Sequence, residues 1–155
     1  MSGKLLNDNV EDIPNTPYQL YKNTENAFEE IDRRLFEFNK RRVPPTQSPE
    51  VIDIHYIVKR QEDIIAGIHA DVYIWNILHI NVFFVDEQYR NKGLGSFLLK
   101  KVECDAERLG VKLAHLDTFE FQAKNFYLKA GYEIFGVLDG CPDGYQRYYM
   151  KKSLS

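Results

Sequence analysis

The sequence predicts an α/β protein built on one mixed β-sheet with helices on both faces. Three observations carry that expectation. The mostly apolar run from Ile77 to Val85 has the length and composition of a buried strand. Leu94, Phe97, Leu98, Val102, Ala106 and Leu109 then recur at helical spacing. Other strand-like stretches occur both side by side and joined through a helix, which is the pattern of a mixed sheet.

The elements follow in order. Residues 1–16 are polar, with Asn, Asp and Pro, and read as a flexible N-terminal tail ahead of a single domain at 17–155. Tyr18 to Tyr21 reads as a short first strand. Thr24 before Glu25-Asn26 marks a helix start. Ala27, Phe28, Ile31, Leu35 and Phe38 carry that helix to Val43-Pro44-Pro45, where proline stops it. Val51 to Lys59, Ile64 to Trp75 and Ile77 to Val85 read as three strands, with turns at Gln61-Glu62-Asp63 and Asn76. The helix at 94–109 ends at Gly110, a residue suited to the left-handed position beyond a helix. A strand from Val111 to Thr118, a short helix from Gln122 to Ala130 and a closing strand pair, Tyr132 to Leu138 and Tyr145 to Lys151, complete the chain.

Arg90-Asn91-Lys92-Gly93-Leu94-Gly95 lies between the apolar strand and the amphipathic helix. Two glycines at such a junction let backbone approach a ligand and allow positive φ. The first-turn N–H groups of the helix lack partners and sit at the positive end of its dipole. N–H groups from Arg90 to Ser96, with the charges of Arg90 and Lys92, would therefore form an anion site suited to a phosphate-bearing ligand. An ordinary turn needs neither the second glycine nor the flanking cations.

R-x-x-G-x-G after a long strand resembles the acetyl-CoA pyrophosphate signature of the GNAT superfamily of N-acetyltransferases. Val85-Asp86-Glu87-Gln88-Tyr89-Arg90 fits that family's strand exit, and Ala123-Lys124-Asn125-Phe126-Tyr127-Leu128-Lys129-Ala130-Gly131-Tyr132 fits its later A-x-x-F-Y-x-x-x-G-[FY] motif. The matches span about residues 50–152 in the family's order. The resemblance implies a GNAT-like central sheet of about seven strands, with two parallel strands, here 77–85 and 111–118, splayed around acetyl-CoA. It also implies that strand backbone near Phe83, Phe84 and Val85 binds the pantetheine arm, and that Asn125 bonds the arm further along. Tyr127 would protonate the departing thiolate, although its place on the inner side of its helix also suits a core aromatic.

The base is less directly marked. Ile77, His79, Asn81, Phe83 and Val85 alternate onto one face, and Leu78, Ile80, Val82 and Phe84 onto the other, which should lie under a helix. Buried polar groups need partners, so His79 and Asn81 should line a cleft. His79 stands where the histone acetyltransferase branch carries its catalytic glutamate, eleven residues before Arg90, so this chain departs from that branch. An imidazole there could take a proton from the amine, although a strand bulge near Phe83 would change the register. Asp71, Glu87, Asp117 and Glu120 are weaker candidates. His55, His69 and His115 show no metal-ligand spacing and read as structural.

The function expected is direct transfer of acetyl from acetyl-CoA, as donor co-substrate, to a primary amine of a small molecule or a protein, with no metal. The alternative is a non-catalytic acetyl-CoA-binding sensor of the same fold. Tyr18, Tyr21, Phe28, Tyr73, Trp75 and Tyr145 could line an aromatic acceptor pocket. A net charge of −3 without a dense basic cluster argues against nucleic-acid partners. Cys104 and Cys141 read as reduced thiols. No apolar run approaches the roughly 20 residues of a membrane span. With no signal-peptide pattern at the start, cytoplasm is the expected location, and a homodimer is compatible with the resemblance.

Overall fold

The computed structural model describes residues 10–22 and 27–155. Its contacts divide the chain into two compact units, one up to Pro44 and one from Pro45 to Ser155. The first holds β1 (Val10–Asp12), β2 (Gln19–Tyr21) and α1 (Ala27–Arg42). β1 and β2 form a separate antiparallel pair. The expected strand at Tyr18 to Tyr21 therefore forms, but outside the main sheet. A local hairpin accounts for this: Ile13 N–H bonds Tyr18 O at 3.0 Å around Asn15, which takes φ 61°. Val10–Asp12 is a strand although the sequence reads as irregular there; residues 1–9 of the expected tail, and the helix start at Thr24 to Asn26, lie outside the described residues. Glu29 and Glu30 in the first turn of α1 and Lys40, Arg41 and Arg42 in its last complement the helix dipole.

The second unit contains β3 (Val51–Arg60), β4 (Asp63–Tyr73), β5 (Ile77–Val85), a 3-10 turn (Glu87–Tyr89) and α2 (Leu94–Arg108). After these come β6 (Leu113–Phe119), α3 (Lys124–Lys129), β7 (Glu133–Asp139) and β8 (Gln146–Ser153). The six strands form one sheet in the order β3-β4-β5-β6-β8-β7, mixed because β5 and β6 run parallel. Gly110, at φ 82°, ends α2 as its sequence position implies. Leu98, Leu99, Val102 and Ala106 of α2 pack on Ile68, Ala70, Val72, Leu78 and Ile80 in the main core. Tyr56 of β3 donates to Asp105 of α2, and Lys152 of β8 pairs with Glu103 of α2 at 2.8 Å, so polar bonds tie the helix to both halves of the sheet.

One irregularity changes the expected faces of β5. Ile80 pairs with Ala70 and Val82 pairs with His69, leaving Asn81 as an extra residue. Such a bulge reverses the alternation beyond it. Leu78 and Ile80 are buried, while Val82 and Phe84 are 59% and 55% exposed and Phe83 and Val85 pack against the core. The expected wholly buried face of Leu78, Ile80, Val82 and Phe84 is thus split at the bulge. Asn81 Nδ2 donates to Asp71 Oδ1 at 2.7 Å, which holds the extra residue to β4.

Truncating the two halves of that set should separate them. Leu78→Ala should cost about 2–5 kcal/mol in urea unfolding, and Val82→Ala no more than about 0.5 kcal/mol. Equal losses would contradict the reversal.

Candidate active site

β5 and β6 pair only at Ile77↔Leu113, Leu78↔Ala114 and His79↔His115. Beyond those rungs the strands separate, although β5 runs on to Val85 and β6 to Phe119. The β6-facing backbone groups of β5 past His79 therefore have no strand partner, and such groups must be satisfied by water or a ligand. The wedge opens into a cavity of about 1080 Å³, lined by β5 from Ile80 to Val85, the glycine turn, the end of β6 and α3. That is just above the roughly 300–1,000 Å³ typical of ligand pockets.

The turn at the wide end is built by backbone geometry. Asp86 accepts from Gln88 N–H at 3.0 Å, and Arg90 Nε donates to Val85 O at 2.9 Å, folding the strand exit back on itself. Asn91 and Gly93 take φ 59° and 86°, which reverse the chain into α2. Phe97 N–H makes the first helical bond, to Gly93 O at 3.0 Å. The N–H groups of Gly93, Leu94, Gly95 and Ser96 are therefore the four that a helix start leaves without intrahelical partners.

The two glycines serve different needs. A Cβ on Gly93 would meet nothing within 4 Å, so packing does not demand glycine there and its positive φ of 86° does. A Cβ on Gly95 would lie 3.3 Å from Phe126 and 3.4 Å from Phe83, so a side chain there would press on both rings and they would have to give way. Phe83, Phe84, Val85, Arg90, Asn91, Gly93, Gly95, Ser96 and Asn125 all line the cavity. Lys92 and Leu94 do not; the Lys92 ammonium lies 5.5 Å over the Tyr89 ring.

Tyr127 forms part of the cavity wall while only 5% exposed, its ring set among Phe83, Phe126 and Tyr132 at 5.3–6.3 Å. No described protein group bonds its hydroxyl. Burial, reinforced by the nearby charge of Asp117, pushes its phenol far above the ordinary range, so the group stays protonated. Tyr127 is thus a core aromatic that also borders the cavity.

His79 lies at the closed end of the wedge, outside the cavity lining. Its ring stacks on His115 at 4.6 Å, and Tyr73 Oη lies 2.9 Å from His115 Nε2. Burial, then the neighbouring His79, lowers the pKa of His115 and favours its neutral form. Asn81 does line the cavity. Among the weaker candidates, Asp117 and Glu120 also line it; Asp117 is held by Arg147, with Nε at 2.7 Å, and Glu120 accepts from Gln146 N–H. Glu87 is exposed beside Arg90.

A family model described as "Acetyltransferase (GNAT) domain" matches residues 52–134. The chain belongs to the GNAT acetyltransferase family. It is 29% identical over 116 residues to a blasticidin-S acetyltransferase of Streptomyces morookaense, covering 74% of this chain and 85% of that one. An acetyltransferase structure from Bacillus cereus superposes with a TM-score of 0.79 at 31% identity, over 87% of this chain and 96% of that one. A Bacillus anthracis protein assigned as a streptothricin acetyltransferase, solved with acetyl coenzyme A, gives a TM-score of 0.58 at 25% identity, over 66% of this chain and 63% of that one.

In this GNAT enzyme the cavity wall also includes Thr118, Phe121 and Gln122, which sequence reasoning did not single out. Gln122 Oε1 accepts from Phe119 N–H at 3.0 Å, and Thr118 Oγ1 accepts from Ala123 N–H at 3.3 Å, so both shape the entry to α3. Their sequence signal was their place just before the F-Y motif. Both cysteines are free thiols, and no described helix is long and apolar enough to cross a membrane.

The glycines give a paired test. Gly93→Val should leave a folded protein whose acetyl-CoA affinity in calorimetry falls by more than about tenfold, through left-handed strain and a blocked turn. Gly95→Val should instead lower the melting midpoint, because Phe83 and Phe126 must move. Normal acetyl-CoA affinity in Gly93→Val would remove the turn from the binding site.

Proposed function

We propose that this enzyme transfers acetyl from acetyl-CoA to a primary amine of a small molecule by direct attack in a ternary complex. The observation that carries the reading is the wedge, with unpaired helix-start N–H donors at one end and the buried Tyr127 hydroxyl in its wall. The similarity to acetyltransferases assigned to blasticidin S and streptothricin supports a small-molecule acceptor over a protein. An N-acetyltransferase domain over 17–155 is part of the proposal; the 87% of this chain matched in the Bacillus cereus structure exceeds what Pro45–Ser155 alone can supply. A cytoplasmic location agrees with this reading.

In this mechanism the N–H groups from Asn91 to Ser96 hold the pyrophosphate, since the Arg90 N–H is taken by Glu87 O at 3.3 Å, and the side chains of Arg90 and Lys92 add charge. Backbone at Phe83, Phe84 and Val85 takes the pantetheine amides as an added strand edge, and Asn125 bonds the arm. A backbone N–H of β5 near the thioester polarises the acetyl carbonyl. The neutral amine attacks the carbonyl carbon, the carbon–sulfur bond breaks, and Tyr127 protonates the leaving thiolate. His79 takes the proton released by the amine, at the closed end of the wedge and through water where the acceptor does not reach it directly. Neutral His115, engaged by Tyr73, gives His79 an uncharged stacking partner.

The test is thiol release across a panel of cationic small-molecule amines. Tyr127→Phe should lower kcat by about 10²–10⁴-fold, the usual worth of a positioned acid, with acetyl-CoA affinity nearly unchanged. Acetyl-CoA binding with no turnover on any amine, or wild-type kcat in Tyr127→Phe, would sink the catalytic assignment.

The pH profile supplies a second check. A phenol acid works below its pKa and fails above it, and the Tyr127 pKa is raised, so the rate should hold from pH 8 to about 10, where an ordinary tyrosine would ionise. His79→Ala should lower kcat while leaving the alkaline side flat, because the Tyr127 phenol is untouched. An alkaline fall that vanishes in Tyr127→Phe would overturn the raised pKa.

A further inference from the structure

The pairing of β3 with β4 brings His69 up to two donor groups of the neighbouring strand, Asp53 and His55. His55 stands directly opposite His69, and Asp53 is two residues from His55 on the same strand face. Directly opposed side chains in an antiparallel pair have Cβ atoms about 4.5–5.5 Å apart. One ligand atom from each of Asp53, His55 and His69 lies within 4.8 Å of the other two. The imidazole centroids are 4.0 Å apart, yet the rings are tilted by 54°, so parallel stacking does not explain their approach. His55 Nε2 is 3.7 Å from Asp53 Oδ1, too long for a hydrogen bond. Converging lone pairs without a bond among them are what a cation would satisfy.

From this geometry we propose that Asp53, His55 and His69 bind one divalent transition-metal ion, Zn²⁺ or a metal of similar preference. Two imidazole nitrogens and a carboxylate suit zinc and its neighbours, whereas magnesium and calcium prefer all-oxygen shells. Zinc bonds of about 2.0–2.2 Å place ligand atoms roughly 3.3 Å apart, within reach of small side-chain rotations here. The sheet supplies the rigidity, since both strands are fixed in register on either side of the cluster. Side chains 53% exposed at His55 and 66% exposed at Asp53 let a hydrated ion arrive and leave its remaining positions to water. On the other side of His69, the bulge at Asn81 turns Val82 and Phe84 toward a shallow depression of about 300 Å³ that both histidines also line. The ion would cross-brace β3 and β4, and Asp71, opposite Asp53, adds negative charge beside it. The proposal does not depend on the acetyl-transfer reading.

The experiment is calorimetric titration of the tag-free full chain with ZnCl₂, with melting curves recorded in parallel. The expected result is one ion per chain and a zinc-dependent rise in melting midpoint. His69→Ala should weaken binding by more than about tenfold, at least what a lost supporting contact costs such sites. The metal-free melting midpoint of that variant should match wild type. His55→Ala and Asp53→Asn provide independent versions if one variant folds poorly. The Cys104→Ser/Cys141→Ser double variant should bind zinc as wild type does. No saturable binding, or unchanged affinity in His69→Ala and His55→Ala, would overturn the site.

Discussion

The two central parallel strands share three rungs and then part, and the site depends on that separation. A continuous β5–β6 ladder would satisfy every backbone group and leave no room between the strands. Pairing stops after His79↔His115, the bulge at Asn81 follows immediately on β5, and its side chain is fastened to Asp71 of the opposite neighbour. Backbone polarity is thereby left exposed inside a sheet, where it must be met by water or by an amide-bearing ligand. The arrangement costs ladder hydrogen bonds, while α2 packs over β3, β4 and β5 on one side of the gap and reaches β8 on the other through Glu103 and Lys152.

The same bulge links packing to chemistry. It directs Phe83 inward against Phe126 and Gly95, so the helix that presents the N–H donors and the helix that carries Tyr127 meet the same aromatic ring. The absence of a side chain at residue 95 is what allows that approach. The helix-start N–H groups and the Tyr127 ring are consequently set by one packed junction rather than by independent loops, which in the proposed mechanism gives the fixed geometry that acetyl transfer requires.

Electrostatics on the two sides of the sheet differ. On the α2 and α3 side, burial keeps Tyr127 neutral. On the opposite face, the histidines and carboxylates pair across strands: His55 with His69, Asp53 with Asp71, and His79 with His115. Burial keeps His115 from carrying charge beside His79, so the closed end of the wedge tolerates two adjacent imidazoles.

Much of this was legible in one dimension. The strand at 77–85 and the helix that follows stand where the periodicity placed them, the glycine turn lies between them, and the F-Y motif falls on α3. What periodicity could not show was a single extra residue on β5. A bulge is defined by the partner strand, and the apolar letters on either side of Asn81 read as one continuous face until β4 supplies the register. The histidines carried no spacing signal for the same reason: His55 and His69, like His79 and His115, become neighbours only through hydrogen bonding between strands. The sequence by itself determined the elements and the donor-rich turn, because helix starts and glycine conformations are local. Tertiary structure alone decided which faces were buried, where the strands part and which side chains meet, because these are properties of pairs of strands.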